Sequence, residues 1–284
     1  MRALSVVILT ILCTYVTFAQ KIVNKKINVN ANQEVNFDFD RANVKFTTWN
    51  KNEISITGTA KINNGENDDA FTMEVREIDG EWNISTFLEN ECQLPKMISM
   101  TKDGVTTYKK VEKKNGNWNG WNNVTSDGDS YDYVSVGIIA EIQLEIKIPK
   151  TIDMNIKSKF GDIDIEKFEG PLFAKSTHGH IEVVFAKAPR RDIELISTHN
   201  FVDVSVPSDS KLDVELRSSH GEILTDLDLD FQEGYGGQSS RKKKKSCGNY
   251  SKKTVVANLN GGGAELALKS THDKIYLREY KVNN

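Results

Sequence analysis

Polar and apolar residues alternate along most of the chain. From Thr151 it reads TIDMNIKSKFGDIDI, with Ile152, Met154, Ile156 and Ser158 on one face and polar or charged residues between them. A period of two marks a half-buried β-strand. The pattern returns in Leu172, Ala174 and Ser176; in Ile193, Leu195 and Ser197; in Leu212, Val214, Leu216 and Ser218; and in Leu266, Leu268 and Ser270. Past the first twenty residues no stretch has the period of an amphipathic helix, so the predicted class is all-β.

Aligned on their serines (Ser158, Ser176, Ser197, Ser218 and Ser270), the strands recur in steps of 18, 21, 21 and 52 residues, the last step carrying an insertion. Three residues after each serine comes Gly161, Gly179, Asn200, Gly221 or Asp273, and an apolar residue (Ile163, Ile181, Val202, Ile223, Ile275) follows two positions on. Gly, Asn and Asp tolerate a left-handed backbone, which predicts a sharp corner between two strands. The serine hydroxyl at the strand end can satisfy corner backbone groups that the ladder misses. One corner and two short strands per copy suit a β-solenoid, in which stacked coils with S-x-x-[GND] corners share a continuous core. The alternative is a two-sheet β-sandwich, whose hairpins would not need the corner to repeat in register.

Upstream, residues 35–58 read as a looser copy with a longer link between Thr48 and Ile54. Residues 71–88 alternate around Asp79-Gly80 and predict a hairpin. Residues 101–132 are polar and rich in Gly and Asn, which predicts a long loop or an extended hairpin tip. The chain thus divides into a β-rich region over 20–140 and a repeat region over 141–284, with a basic insertion at 232–253.

The opening MRALSVVILTILCTYVTFAQ has Arg2, an apolar stretch and a small-residue ending, the form of a secretory signal peptide over residues 1–19. The apolar stretch is short for a bilayer span, and no later stretch is long and apolar enough to cross a membrane. The expected location is therefore exported: periplasm, outer-membrane surface or medium. The 37 basic and 40 acidic side chains nearly balance, so nothing global points to nucleic acid. Beyond the leader two cysteines remain, Cys92 and Cys247, a candidate disulfide in an oxidising compartment.

QLEIKIPKTIDMNIKSKFGDIDI, the repeated KSTHGHIEV-like phrases and the closing NLNGGGAELALKSTHDKIYLREY resemble the DUF4097, or head-GIN-type, "putative adhesin" family of exported bacterial β-strand-repeat proteins, a style familiar from Bacteroidetes. The resemblance covers residues 142–284 and extends more loosely over 35–60. It implies a solenoid-like exported protein and brings no catalytic residues. This chain departs from the commoner Asn-Gly corner by placing His before the Gly, and it adds the basic insertion.

Candidate chemistry then falls on four features. His178, His199, His220 and His272 share one place in the repeat, with Phe160 in that place one copy earlier; stacked coils would set them in one column, as a ring ladder, a pH-sensitive stack or metal ligands. Lys242, Lys243, Lys244 and Lys245 lie in the insertion as a solvated loop or a dock for anionic envelope polymers. Trp118 and Trp121 sit among asparagines and glycines, as loop anchors or sugar-stacking rings. Asp226, Asp228 and Asp230, like Asp162 and Asp164, read as the wet faces of strands. No nucleophile motif, phosphate loop or HExxH is present, and no cofactor is implied. The expected function is a non-enzymatic envelope-associated adhesin or interaction protein for glycans or other envelope polymers. The alternative is a periplasmic accessory or sensor protein in envelope-stress signalling.

Overall fold

A computed structural model describes residues 20–30, 33–111, 113–114, 117–118, 130–232 and 253–281, with backbone only at 113–114 and 117–118. The leader at residues 1–19 lies outside the described residues. Those described form β-strands with three short 3-10 turns, and no helix among them is long and apolar enough to cross a membrane.

The strands build two large mixed sheets. The first runs, in spatial order, Lys21–Asn28, Glu53–Ile62, Ala140–Pro149, Ala42–Trp49, Ile163–Glu166, Ile181–Val184, Val202–Val206, Ile275–Glu279 and Ile223–Thr225. The second runs Asp230–Phe231, Lys253–Leu259, Leu212–Ser218, Ala264–Ser270, Ile193–Ser197, Leu172–Ser176, Asp153–Ser158, Glu34–Phe39, Glu81–Leu88 and Phe71–Ile78. Every pairing between repeat copies is parallel and in register: Ser158 lies beside Ser176, Ser176 beside Ser197, Ser197 beside Ser270 and Ser270 beside Ser218. The copies therefore wind from one sheet to the other and do not form hairpins within a sheet. Antiparallel strands bound the parallel runs at both ends of the second sheet and at the N-terminal end of the first, whose other end is the parallel strand Ile223–Thr225.

Alternation explains the two-sided strands. Ile156, Ala174, Leu195, Leu268 and Leu216 align across the second sheet, and Ile163, Ile181, Val202 and Ile275 across the first, all of them fully buried. They join one hydrophobic core that also contains Phe37, Phe39 and Phe46, so core and sheets run unbroken across residues 140–141. Each such Val, Leu or Ile side chain contributes roughly 1.5–3 kcal/mol by burial, and a single copy offers only a handful, so the copies depend on one another.

Sequence order and spatial order differ at the C-terminal end. The last copy, Ala264–Ser270 with Ile275–Glu279, enters between the copies ending at Ser197 and Ser218. Lys253–Leu259 runs back antiparallel to Leu212–Ser218, and the chain then turns at Asn260, Gly261 and Gly262, all at positive φ.

The first copy also differs from its sequence reading. Its corner lies at Asp40-Arg41, between Glu34–Phe39 and Ala42–Trp49, and not after Thr48. Register places Phe39 beside Ser158 and Val44 beside Ile163. Phe39 thus takes the serine place and Ala42 the glycine place, which hides the S-x-x-G signal. The hairpin Phe71–Ile78 and Glu81–Leu88 turns at Asp79 and Gly80, both at positive φ, in agreement with the alternation. Met97–Lys102, Val105–Lys110 and Tyr133–Gly137 form a small antiparallel sheet, so the polar stretch from residue 101 begins as a hairpin.

Candidate functional site

The corners are built from their serines. Ser158, Ser176, Ser197, Ser218 and Ser270 are buried. Each hydroxyl accepts from the backbone N–H three residues on, at 3.1 Å for Gly161, 3.0 Å for Gly179, 3.2 Å for Asn200, 2.9 Å for Gly221 and 3.3 Å for Asp273. Ser158 also donates to the Gly161 carbonyl at 2.7 Å, and Ser197 donates to the Gly179 carbonyl at 3.2 Å, one rung away.

The glycines have a different cause from the one the sequence suggested. Gly161, Gly179, Asn200, Gly221 and Asp273 are not among the positive-φ residues. What demands glycine is close approach: a Cβ on Gly161 would lie 1.8 Å from the Ala42 carbonyl oxygen, one on Gly179 2.0 Å from that of Gly161, and one on Gly221 2.0 Å from that of Asp273. At Asn200 and Asp273 the side chain folds onto the next backbone N–H, that of Phe201 at 2.9 Å and that of Lys274 at 2.7 Å.

This tight stacking lines up the rings that precede the corner. Phe160 stacks on His178 at 4.9 Å between centroids, His178 on His199 at 4.7 Å, His199 on His272 at 4.9 Å and His272 on His220 at 5.2 Å, with ring planes within 8° of parallel. The order is that of the sheets, so His272 separates His199 from His220. Arg41, in the ring place of the first copy, lays its guanidinium 4.7 Å from the Phe160 centroid and ends the column. All four imidazoles are exposed, and Phe160 keeps 42% of its surface in solvent. Beside them run Thr177, Thr198, Thr271 and Ser219, giving an edge on which hydroxyl and imidazole repeat at the strand spacing.

The column does not have the spacing of a chelate. In parallel rings related by translation, equivalent nitrogens are as far apart as the centroids. Two Zn–N bonds span at most about 4.2 Å even in a straight line. One ion between two neighbouring rungs would have to break the stack.

The fifth histidine, which the sequence reading passed over, stands in a different setting. His180 lies one residue past the corner on the outer face of the first sheet, with 22% of its side chain exposed. Its Nδ1 is 3.1 Å from Asp162 Oδ1 and its Nε2 is 3.0 Å from Asp164 Oδ1. Asp162 Oδ1 also accepts the His180 backbone N–H at 2.9 Å. The ring stacks on Phe201 at 4.7 Å. Hydrogen bonds to the two carboxylates push the His180 pKa up to about 10, and the His180 ring holds the Asp162 carboxyl below the usual carboxylate range. The sign is that of a cation gaining partners: the clamp stabilises fully below the unfolded histidine value, about 6.5, and the gain is lost as pH rises through about 10.

Register extends the cluster. Asp164 pairs with Glu182 and Glu182 with Asp203, so three carboxylates lie abreast on neighbouring parallel strands. Asp203 is bridged by Arg278 at 2.8 Å, and burial pushes its carboxyl up, with Glu182 adding to the rise and Arg278 opposing it. The sequence signal was present as D-x-D after one corner and H-x-E after the next.

The remaining candidates lie elsewhere in the structure or outside the described residues. Cys92 is exposed in the turn Glu91–Gln93 and has no disulfide partner among the described residues, and Cys247, its candidate partner, lies outside them. Trp121 and Lys242 to Lys245 also lie outside them. Trp118 is described only as backbone, in the short pair Asn117–Trp118 with Lys113–Lys114. Asp226, Asp228 and Asp230 are exposed, but the chain there is broken between Ile223–Thr225 and Asp230–Phe231 and is not one continuous strand.

Parallel in-register copies, serine-tied corners and a shared core define an all-β strand-repeat protein. The model of the Toastrack DUF4097 family matches residues 24–262, and the chain belongs to that family. No curated protein matches it. Among solved structures it is similar to a "putative cell adhesion protein" from Clostridium sporogenes ATCC 15579, at 9% identity and a TM-score of 0.49 over 92% of this chain and 100% of that one. It is also similar to a "putative adhesin" from Bacteroides fragilis NCTC 9343, at 9% identity and a TM-score of 0.28 over 92% of this chain and 98% of that one.

Proposed function

We propose that the chain is a non-enzymatic, exported interaction protein, a β-solenoid whose repeating edge holds a linear envelope polymer such as a glycan. The observation that carries this reading is the exposed corner ladder. Imidazole rings recur there at 4.7–5.2 Å across His178, His199, His272 and His220, each next to a hydroxyl residue, Thr177, Thr198, Thr271 or Ser219. A rigid row of donors and acceptors is pre-organised for a partner that is itself a repeat, because little side-chain freedom is lost on binding. The ring faces are taken up by the stack, so recognition would use their edges through hydrogen bonds. Residues 20–284, screened against immobilised glycans and anionic envelope polymers, are expected to bind at least one, and replacement of His178, His199 and His272 by alanine is expected to weaken that binding about tenfold or more, a loss of about 1.4 kcal/mol. A blank screen, or release of reducing ends from a polymer, would overturn the reading.

A further inference from the structure

Among the described residues, Asp164, His180 and Glu182 bring one ligand atom each within 4.8 Å of one another. We propose that these three side chains form a site for a divalent transition-metal ion, with Zn²⁺ the best match, and that Asp162 is the positioning residue that aims His180 into it. The site lies on the face of the first sheet and does not depend on the corner ladder or its partner.

Geometry is the first ground. Across a tetrahedral Zn²⁺ a nitrogen and an oxygen ligand sit about 3.3 Å apart, given bonds near 2.0–2.2 Å. His180 Nε2 and Asp164 Oδ1 are 3.0 Å apart, so an ion can replace the shared proton with a small shift of either side chain. Glu182 follows on the adjacent strand in register with Asp164 and supplies a third ligand, leaving a position for water.

Orientation is the second. The Nδ1 side of the ring faces Asp162, which also fixes the backbone of the same residue through the His180 N–H. That is the arrangement in which a metal-bound imidazole gives its other N–H to a carboxylate, fixing tautomer and ring angle. Stacking on Phe201 restricts the ring further.

Charge is the third. Like charges abreast on neighbouring strands are unfavourable, and Asp164, Glu182 and Asp203 stand in one such row. Arg278 answers Asp203, and Lys45, in register with Asp164 on its other side, is bridged to Glu166 at 2.9 Å. A divalent ion that displaces the His180 proton adds one net positive charge where these carboxylates converge. One imidazole nitrogen among carboxylate oxygens suits Zn²⁺ and its neighbours better than Ca²⁺, which takes oxygen ligands.

Because the ion takes the place of the proton between His180 and Asp164, binding releases a proton and tightens as pH rises. The test is titration calorimetry of chelator-treated residues 20–284 with ZnCl₂ at pH 7.0 and 8.5. One Zn²⁺ per chain is expected, tighter at pH 8.5, with Ca²⁺ weaker. His180→Asn and Glu182→Gln are each expected to lose binding, Asp162→Asn to weaken it about 10–100-fold, and His178→Asn with His199→Asn to leave it unchanged. Glu182 is exposed, so Glu182→Gln keeps the test valid if His180→Asn unfolds the chain. Absence of 1:1 binding, binding untouched by Glu182→Gln, or binding lost only in the ladder variant would each overturn the site.

Discussion

Gly179→Ala is expected to destabilise the protein by about 3 kcal/mol, although it adds one methyl group at a surface corner. The added Cβ would lie 2.0 Å from the Gly161 carbonyl oxygen and 2.4 Å from its carbonyl carbon. Both atoms are backbone, and the same rung carries the Ser176 bond to Gly179 and the ladder bonds of Thr177 and His178. Relief therefore requires two rungs to part, the kind of overpacking that costs 1–3 kcal/mol or more. Gly80→Ala is the control. Gly80 has φ +87° and open space around the Cβ position, so only backbone strain is added, about 1–2 kcal/mol. Equilibrium denaturation of both variants decides the point. If Gly80→Ala costs more than Gly179→Ala, close approach is not why glycine occupies the corner.

Phe37→Ala is expected to cost about 3–5 kcal/mol and to lower a single unfolding transition of the whole chain. Phe37 is 1% exposed and packs against Phe39 at 5.7 Å and Phe46 at 5.0 Å between centroids. Its strand lies beside Asp153–Ser158 on one side and Glu81–Leu88 on the other. The first copy is thus one more rung of the stack, and its loss exposes the flank of the next. Thermal unfolding followed by near-UV and far-UV circular dichroism is expected to show coincident, shifted transitions. Two transitions, of which the variant moves only one, would mean that residues 20–140 and 141–284 unfold as separate bodies.

Much of this was legible in the residues because alternation reports which face of a strand is buried. Ile152, Met154, Ile156 and Ser158 all point inward as read, and the common register of the five serines follows from their identical offset to the corner. Alternation does not report which strand is the neighbour. That is why the last copy could be recognised but not placed between its two predecessors, and why Asp162 and Asp164 read as a wet face when their partner, His180, lies a copy away. The corner of the first copy was misplaced because Phe39, Arg41 and Ala42 replace the residues that mark a corner, and only pairing shows that they hold equivalent places. Glycine was read correctly as a requirement, but the sequence cannot separate the need for positive φ from the need for an absent Cβ.

The order of the rungs underlies the ring ladder, the close-packed corners and the separation of His180 from the column. It can be read by disulfide formation in a background where Cys92 and Cys247 are serine. His199→Cys with His272→Cys places two thiols on adjacent parallel rungs, within the 4.4–6.8 Å Cα range of a disulfide. His199→Cys with His220→Cys places them two rungs apart, roughly 10 Å, beyond that range. Mild oxidation followed by non-reducing gel analysis and peptide mapping is expected to find the 199–272 bridge and no 199–220 bridge. A 199–220 bridge formed in preference to the 199–272 bridge would contradict the structure's order of copies and the continuous ladder that depends on it.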